Sequence, residues 1–422
     1  MYKLISAALI MIVVITPCVH SLTGSIRNNI KEYNPDPFAS YLRSVPTVND
    51  TLTSEVSGKG DNAITIKEIV FNSKNNVNKV YAITAYPNRA GKFPALLIIH
   101  GGSGNASGLR PLVEKFARKG YVVLAPDMPG FCNVQHTPHS TGPWKEKPEY
   151  YEPPRFNVEQ GAQYSTLVDA EVSGLEAFNL LCAQNNVNTK KVGITGFSWG
   201  GYSTTMLSGL LGDRVKAAYS VWGSGFYDKG SFWKGIIDTL PASTKQTWLT
   251  YIDAGRRAGN IKAEYFIEGA SNDTFFWPAA VTATLDAIHS NKNHVWGPNV
   301  NHSLVATSAK MQELYFDYHL KGEGSPFIKV NISQTKQLNN GSREVEIKLK
   351  TPNGIKADTV QIFYSEPNID WTKRKWIPIN AKLKKVNDYS VTIPAAVVAK
   401  AITFYAYVVD SRKIRTSSYM HQ

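Results

Sequence analysis

The chemistry of this chain centres on Ser198, which stands in Gly196-Phe197-Ser198-Trp199-Gly200, directly behind the apolar run 191–197 and ahead of a helical pattern. A strand that turns at once into a helix forces its corner residue into a strained backbone conformation. Glycines two before and two after remove the side chains that would collide there. A serine hydroxyl is a weak nucleophile near neutral pH, so it needs a base within hydrogen-bond reach and a third group to hold that base's tautomer. Behind such a turn the acid comes next in the chain and the histidine last. Asp273, in Ile267-Glu268-Gly269-Ala270-Ser271-Asn272-Asp273, lies just beyond a strand and is the candidate acid, with Asp253, Asp228 and Glu268 as competitors. His302, in Gly297-Pro298-Asn299-Val300-Asn301-His302, follows the last strand and is the candidate base. His294 falls in a strand, His289 in the preceding helix and His319 on a later one, where structural roles suffice. An oxyanion needs two backbone donors. Trp199 supplies one by following the nucleophile, and the loop His100-Gly101-Gly102-Ser103-Gly104 should supply the other from Gly102, with Ser103 next and His100 structural. His136 and His139 lie three apart but lack further ligands at metal-site spacing.

The elements that must position these groups alternate as in a parallel α/β sheet. Residues 63–72 and 79–86 read as an entry hairpin, 94–100 and 121–126 as buried strands, and 109–119 as a helix. A long amphipathic helix is expected over 167–184. Strands follow at 191–197, 215–222, 263–268 and 292–296, with a closing helix over 306–320, which gives a doubly wound order. Two excursions, 131–161 and 226–259, leave from C-terminal strand ends, where open α/β sheets bind ligands. Residues 22–60 carry three prolines and no sustained period, and read as an extended arm. This α/β domain spans 61–324. Beyond it, over 326–422, short alternating strands separated by Asn340-Gly341 and Asn353-Gly354 predict a β-sandwich of the immunoglobulin or fibronectin kind.

At 422 residues and 43% hydrophobic content, the chain can bury a large core and exceeds one typical domain. Its start, Met1-Tyr2-Lys3 followed by an apolar run to Ile15, reads as a signal peptide over 1–21, too short to span a bilayer. Export would allow Cys132 and Cys182 to pair, although two separate thiols are an equal reading. The net charge of +13 is scattered, and no recognition helix or zinc spacing accompanies it. It reads as solvated surface and not as a nucleic-acid footprint, with attraction to an acidic glycan as a second reading.

With nucleophile, acid, base and oxyanion loop all in order, residues 64–320 resemble the α/β-hydrolase superfamily, in its acetyl xylan esterase and dienelactone hydrolase branch. The Gly-Ala-Ser-Asn-Asp273-Thr-Phe-Phe and Asn-His302-Ser-Leu segments and the appended β-domain also resemble the PhoPQ-activated pathogenicity-related proteins of bacteria. The resemblance implies a serine hydrolase that needs no metal or cofactor. The expectation is a secreted or periplasmic carboxylic-ester hydrolase acting on small-molecule or polysaccharide esters, with acyl groups such as acetyl as what it removes. It is not expected to insert stably in a membrane once the signal is cleaved. A serine exopeptidase of the prolyl-oligopeptidase type is a second reading. A glycan-binding protein, with Trp371 and Trp376 stacking on sugar rings, is a third, against which stands ordinary core or interdomain packing of those two rings.

Overall fold

The computed structural model describes residues 36–146 and 155–422. The expected signal peptide, Cys18 and residues 147–154 of the first excursion lie outside the described residues.

Nine strands form one sheet: β1 (Val48–Ser57), β2 (Ile64–Ser73), β3 (Asn78–Pro87), β4 (Phe93–Ile99), β5 (Val122–Pro126), β6 (Val187–Phe197), β7 (Ala217–Val221), β8 (Glu264–Ala270) and β9 (Lys292–Gly297). Their order is β1-β2-β3-β5-β4-β6-β7-β8-β9. β1, β2, β3 and β5 pair antiparallel in turn, and from β5 through β9 every neighbour is parallel. β5 and the mostly apolar β7 are buried throughout, as parallel strands covered on both faces must be. The winding direction reverses at β4, which has β5 on one side and β6 on the other. That switch point sets the loop after β4, residues 100–104, beside the turn after β6 that carries Ser198.

Two expectations need correction. Residues 48–57, read as part of an extended arm on the surface, are a strand of the main sheet: they form β1, an edge strand paired with β2. Nearly all of its residues are exposed, so neither face carries an apolar stripe to read. The helix over 167–184, observed as Thr166–Ala183, is buried almost all round instead of amphipathic. Its polar residues meet other parts of the protein. Asp169 accepts from Lys74 and Asn78, Glu176 accepts from the Lys74 N–H, and Asn179 donates to the carbonyls of Tyr41 and Ser44. The segment before β1 thus covers what sequence alone presents as a solvent face.

Beyond Pro326 two four-stranded antiparallel sheets face each other. One runs β10 (Lys329–Gln337), β11 (Arg343–Lys350), β15 (Asp388–Ile393), β14 (Lys382–Lys385). The other runs β13 (Ile377–Asn380), β12 (Ala357–Ser365), β16 (Thr403–Asp410), β17 (Arg415–Ser417). This is the strand arrangement of an immunoglobulin-type sandwich with one added edge strand. Alternation along β16 serves two cores: Phe404, Ala406 and Val408 fill the sandwich interior, whereas Tyr405 and Tyr407 join the core of the α/β domain. Trp376 is buried against Tyr405, with centroids 4.9 Å apart, and Trp371 packs partly into the same core. Trp376 therefore presents no open face for glycan stacking, and Trp371, half-buried, has the Arg374 guanidinium 3.8 Å from its ring centroid.

Candidate active site

Ser198 takes φ 56° and ψ −116° at the junction between β6 and the helix Trp199–Leu211. This conformation is strained for a non-glycine residue and aims the hydroxyl off the sheet edge. Space at the turn is tight: a Cβ on Gly200 would lie 2.4 Å from the Ile99 carbonyl oxygen and 2.5 Å from that of His100. Only glycine there lets the helix close on β4. The turn is pinned by the Ser198 N–H to the Val221 carbonyl, 2.9 Å, and by the Tyr202 N–H to the Ser198 carbonyl, 2.9 Å.

His302 Nε2 lies 2.9 Å from Ser198 Oγ, and His302 Nδ1 lies 3.0 Å from Asp273 Oδ2 and 3.2 Å from Oδ1. A carboxylate only accepts, so Nδ1 carries the ring proton and Nε2 is left to accept from the serine hydroxyl. Asp273 is 1% exposed, and its Oδ1 also accepts from the N–H groups of Phe275 and Phe276 at 2.8 and 3.0 Å. The imidazole sits among aromatics, with Trp222, Phe275 and Phe276 centroids 4.5, 5.0 and 5.9 Å away.

The competing groups have other work. Asp253 is buried and accepts from the N–H groups of Phe226, Tyr227 and Gly255, Asp228 pairs with Arg256, and Glu268 is buried within β8. Glu268 accepts from Tyr219 Oη, the Val305 N–H and Ser308 Oγ, so it anchors the segment that follows His302. Burial raises its carboxyl above the usual range. His294 bonds the Ser418 carbonyl, and burial pushes both it and His319 down to about 4. His289 falls just after its helix, which ends at Ala287.

In the oxyanion loop, burial lowers His100 to about 4, so the ring is neutral near pH 7. Its Nε2 accepts from the Met128 N–H at 3.0 Å, which leaves Nδ1 to donate to the Gly101 carbonyl at 2.7 Å. The Ser103 N–H is committed to the Phe131 carbonyl, which removes the second-choice donor. Gly102 lies against Trp199: a Cβ there would approach Trp199 Cδ1 to 2.8 Å. The Trp199 N–H belongs to the first turn of a helix, an end whose free N–H groups and dipole favour an anion. Its indole is core, stacked on Phe131 and tilted against Trp233.

Three asparagines next to the acid and base were not read from the sequence. Asn301 Oδ1 accepts from the Thr274 N–H and from the His302 N–H, tying acid loop to base loop. Asn272 Nδ2 donates to the carbonyls of Trp371, Thr372 and Arg374 at 3.1, 3.2 and 2.7 Å. Asn299 donates to the Trp376 carbonyl and accepts from its N–H, both at 2.8 Å. The β-sandwich therefore grips the loops of Asp273 and His302 one and three residues from the functional side chains. The available signal was positional: Asn272 precedes the acid, and Asn299 and Asn301 precede the base.

Cys132 and Cys182 are not joined to each other; the first is buried, and burial raises Cys182 to about 11. Among the described residues no group of three or more His, Cys, Asp or Glu side chains gathers as a metal site would require, and no helix is long and apolar enough to cross a membrane.

The mixed sheet with a serine on its strand-to-helix turn defines an α/β-hydrolase fold. Within that class the chain belongs to the dienelactone hydrolase family, which matches residues 80–323 and stops where the sandwich begins. A candidate carboxymethylenebutenolidase of Synechocystis sp. is 28% identical over 167 residues, 38% of this chain, and the chain spans 61% of that relative's length. Acetyl xylan esterase 1 from Thermoanaerobacterium sp. superposes with a TM-score of 0.53 at 18% identity, covering 69% of this chain and 97% of the esterase. The acetyl xylan esterase of Paenibacillus sp. R4 gives 0.50 at 16% identity, covering 67% and 92%. At these identities the likeness is one of fold.

Proposed function

We propose that this protein is an exported serine carboxylic-ester hydrolase that removes acyl groups, acetyl in the first instance, from a polysaccharide. The observation that carries the reading is the continuous path from Ser198 Oγ to His302 Nε2 and from His302 Nδ1 to Asp273, at 2.9 and 3.0 Å. Ser198 Oγ attacks the ester carbonyl while His302 Nε2 takes its proton, and Asp273 holds the imidazole and stabilises the imidazolium. The tetrahedral oxygen receives the N–H groups of Trp199 and Gly102. Collapse expels the alcohol, which takes the proton from His302, and leaves an acyl-serine. Water, deprotonated by the same imidazole, then releases the acid. Support for a polysaccharide ester comes from the two acetyl xylan esterases that share the fold, and support for export from the apolar run behind Lys3.

The test is turnover of acetylated xylan, a dienelactone and an aminoacyl amide by the full chain. Acetate release that exceeds amide cleavage by orders of magnitude is expected. Comparable amide cleavage would assign the site to a peptidase instead.

A further inference from the structure

Ser198 lies at the C-terminal edge of the main sheet, but a separate cavity lies at the opposite edge. It is lined by Lys216 just before β7, Glu264 at the start of β8 and Asn291 just before β9, and is closed from the other side by the sandwich through Lys329 and Lys350. The intervening strands, five to seven residues long, separate the two sites by roughly 15–20 Å. The cavity's volume is about 500 Å³, in the range of pockets that enclose small organic ligands, roughly 300–1,000 Å³. An inorganic oxyanion needs far less.

Charge in the cavity is one-sided. Lys216, Lys329 and Lys350 face a single carboxylate, Glu264. Among the described residues none of the three lysines has an acidic partner within ion-pair distance, whereas elsewhere in the sandwich Lys384 meets Glu344 and Glu346, Lys400 meets Glu366 and Lys413 meets Asp358. The cations also oppose one another. Burial lowers Lys329, Glu264 works against that shift, and the charge of Lys350 adds a smaller push in the same direction as burial, while Lys216 adds to the burial that keeps His319 neutral. The three lysines are exposed, and like charges gathered at one pocket repel one another, a cost that a bound anion would relieve. Tyr318, Pro326, Phe327 and Pro352 add apolar wall, with His319 and Thr351 beside them.

We propose that this domain-junction cavity binds an acidic sugar unit of a glycan, a uronate, whose carboxylate is held by Lys216, Lys329 and Lys350 while its ring lies along the Tyr318 and Phe327 wall. It would tether the polymer by a contact the catalytic serine does not make. Neither the family match, which ends at residue 323, nor the Ser198 site accounts for it.

The experiment is calorimetric titration of the full-length Ser198→Ala protein, which turns nothing over, with an oligogalacturonate, a neutral oligosaccharide of equal length and inorganic phosphate. The account expects the uronate alone to bind, with affinity falling as salt rises. The Lys216→Ala/Lys350→Ala double variant should bind it at least about tenfold more weakly, the fold-change of losing one charge-assisted hydrogen bond. An unchanged thermal midpoint checks that this variant is folded. No uronate binding, equal binding by the double variant, or equal binding of the neutral oligosaccharide would overturn the proposal. Phosphate binding as tight as the uronate's would also overturn it, by assigning the cavity to an inorganic oxyanion. Since binding is read without Ser198, failure here leaves the ester-hydrolase reading intact, and inactivity toward esters leaves this one intact.

Discussion

Asn272→Ala separates a sandwich that merely accompanies the hydrolase from one that holds its site in shape. The change removes an amide that reaches three carbonyls of residues 371–374 and whose Oδ1 accepts from Ser271 Oγ. With a buried carbonyl left without its donor, the loss should be about 1–3 kcal/mol of stability. The larger effect should be on turnover. Asp273 is the next residue, and displacement of a catalytic group by about 1 Å costs on the order of 10²-fold. We expect kcat on p-nitrophenyl acetate to fall about 10- to 100-fold with KM little changed. Val345→Ala is the matched control. Val345 is fully buried in the sandwich interior on β11, away from both loops, so its truncation should cost about 2 kcal/mol while leaving kcat near wild type. If Asn272→Ala lost stability but kept kcat within twofold, or if Val345→Ala lowered kcat as much, the clamp would be refuted as a catalytic device.

Other perturbations reach different parts of the account. Asp273→Asn keeps the packing but no longer fixes the histidine tautomer, so kcat should fall about 10⁴-fold, with circular dichroism unchanged; a loss under tenfold would contradict the assignment. Gly102→Ala places a Cβ 2.8 Å from Trp199 Cδ1, which must shift the oxyanion loop; kcat should drop roughly 10²-fold in a protein that still takes up one equivalent of fluorophosphonate, more slowly. Glu171 is fully buried, and burial raises its carboxyl to about 8, opposed by a hydrogen bond from Ser203. The folded state therefore holds a proton that the unfolded chain gives up near pH 4–5, so stability should decline as pH rises from about 5 to 8. Glu171→Gln should flatten that decline in denaturant titrations across the same range, and an unchanged slope would show that Glu171 does not cause it.

That Ser198, Asp273 and His302 would come together was legible because each follows the end of an apolar run, so element boundaries alone place them on one sheet edge. What sequence could not supply came from partners far away in the chain. The carbonyls that Asn272 grips lie about a hundred residues on, and local pattern carries no trace of that pairing. The same holds for the helix Thr166–Ala183, whose polar residues look solvent-facing until the segment before β1 is laid over them. β1 was missed for the opposite reason, since an exposed polar edge strand has no buried face to impose a period. Trp376 illustrates the ambiguity of aromatics on strands, because only the observed contact with Tyr405 assigns it to packing.

The central claim is that Ser198 is an activated nucleophile. It is tested most directly by labelling wild type and Ser198→Ala with a fluorescent fluorophosphonate and locating the adduct by mass spectrometry. The account predicts one equivalent on Ser198 in the wild type and none in the variant. No labelling of folded wild type, or undiminished labelling of Ser198→Ala, would contradict it.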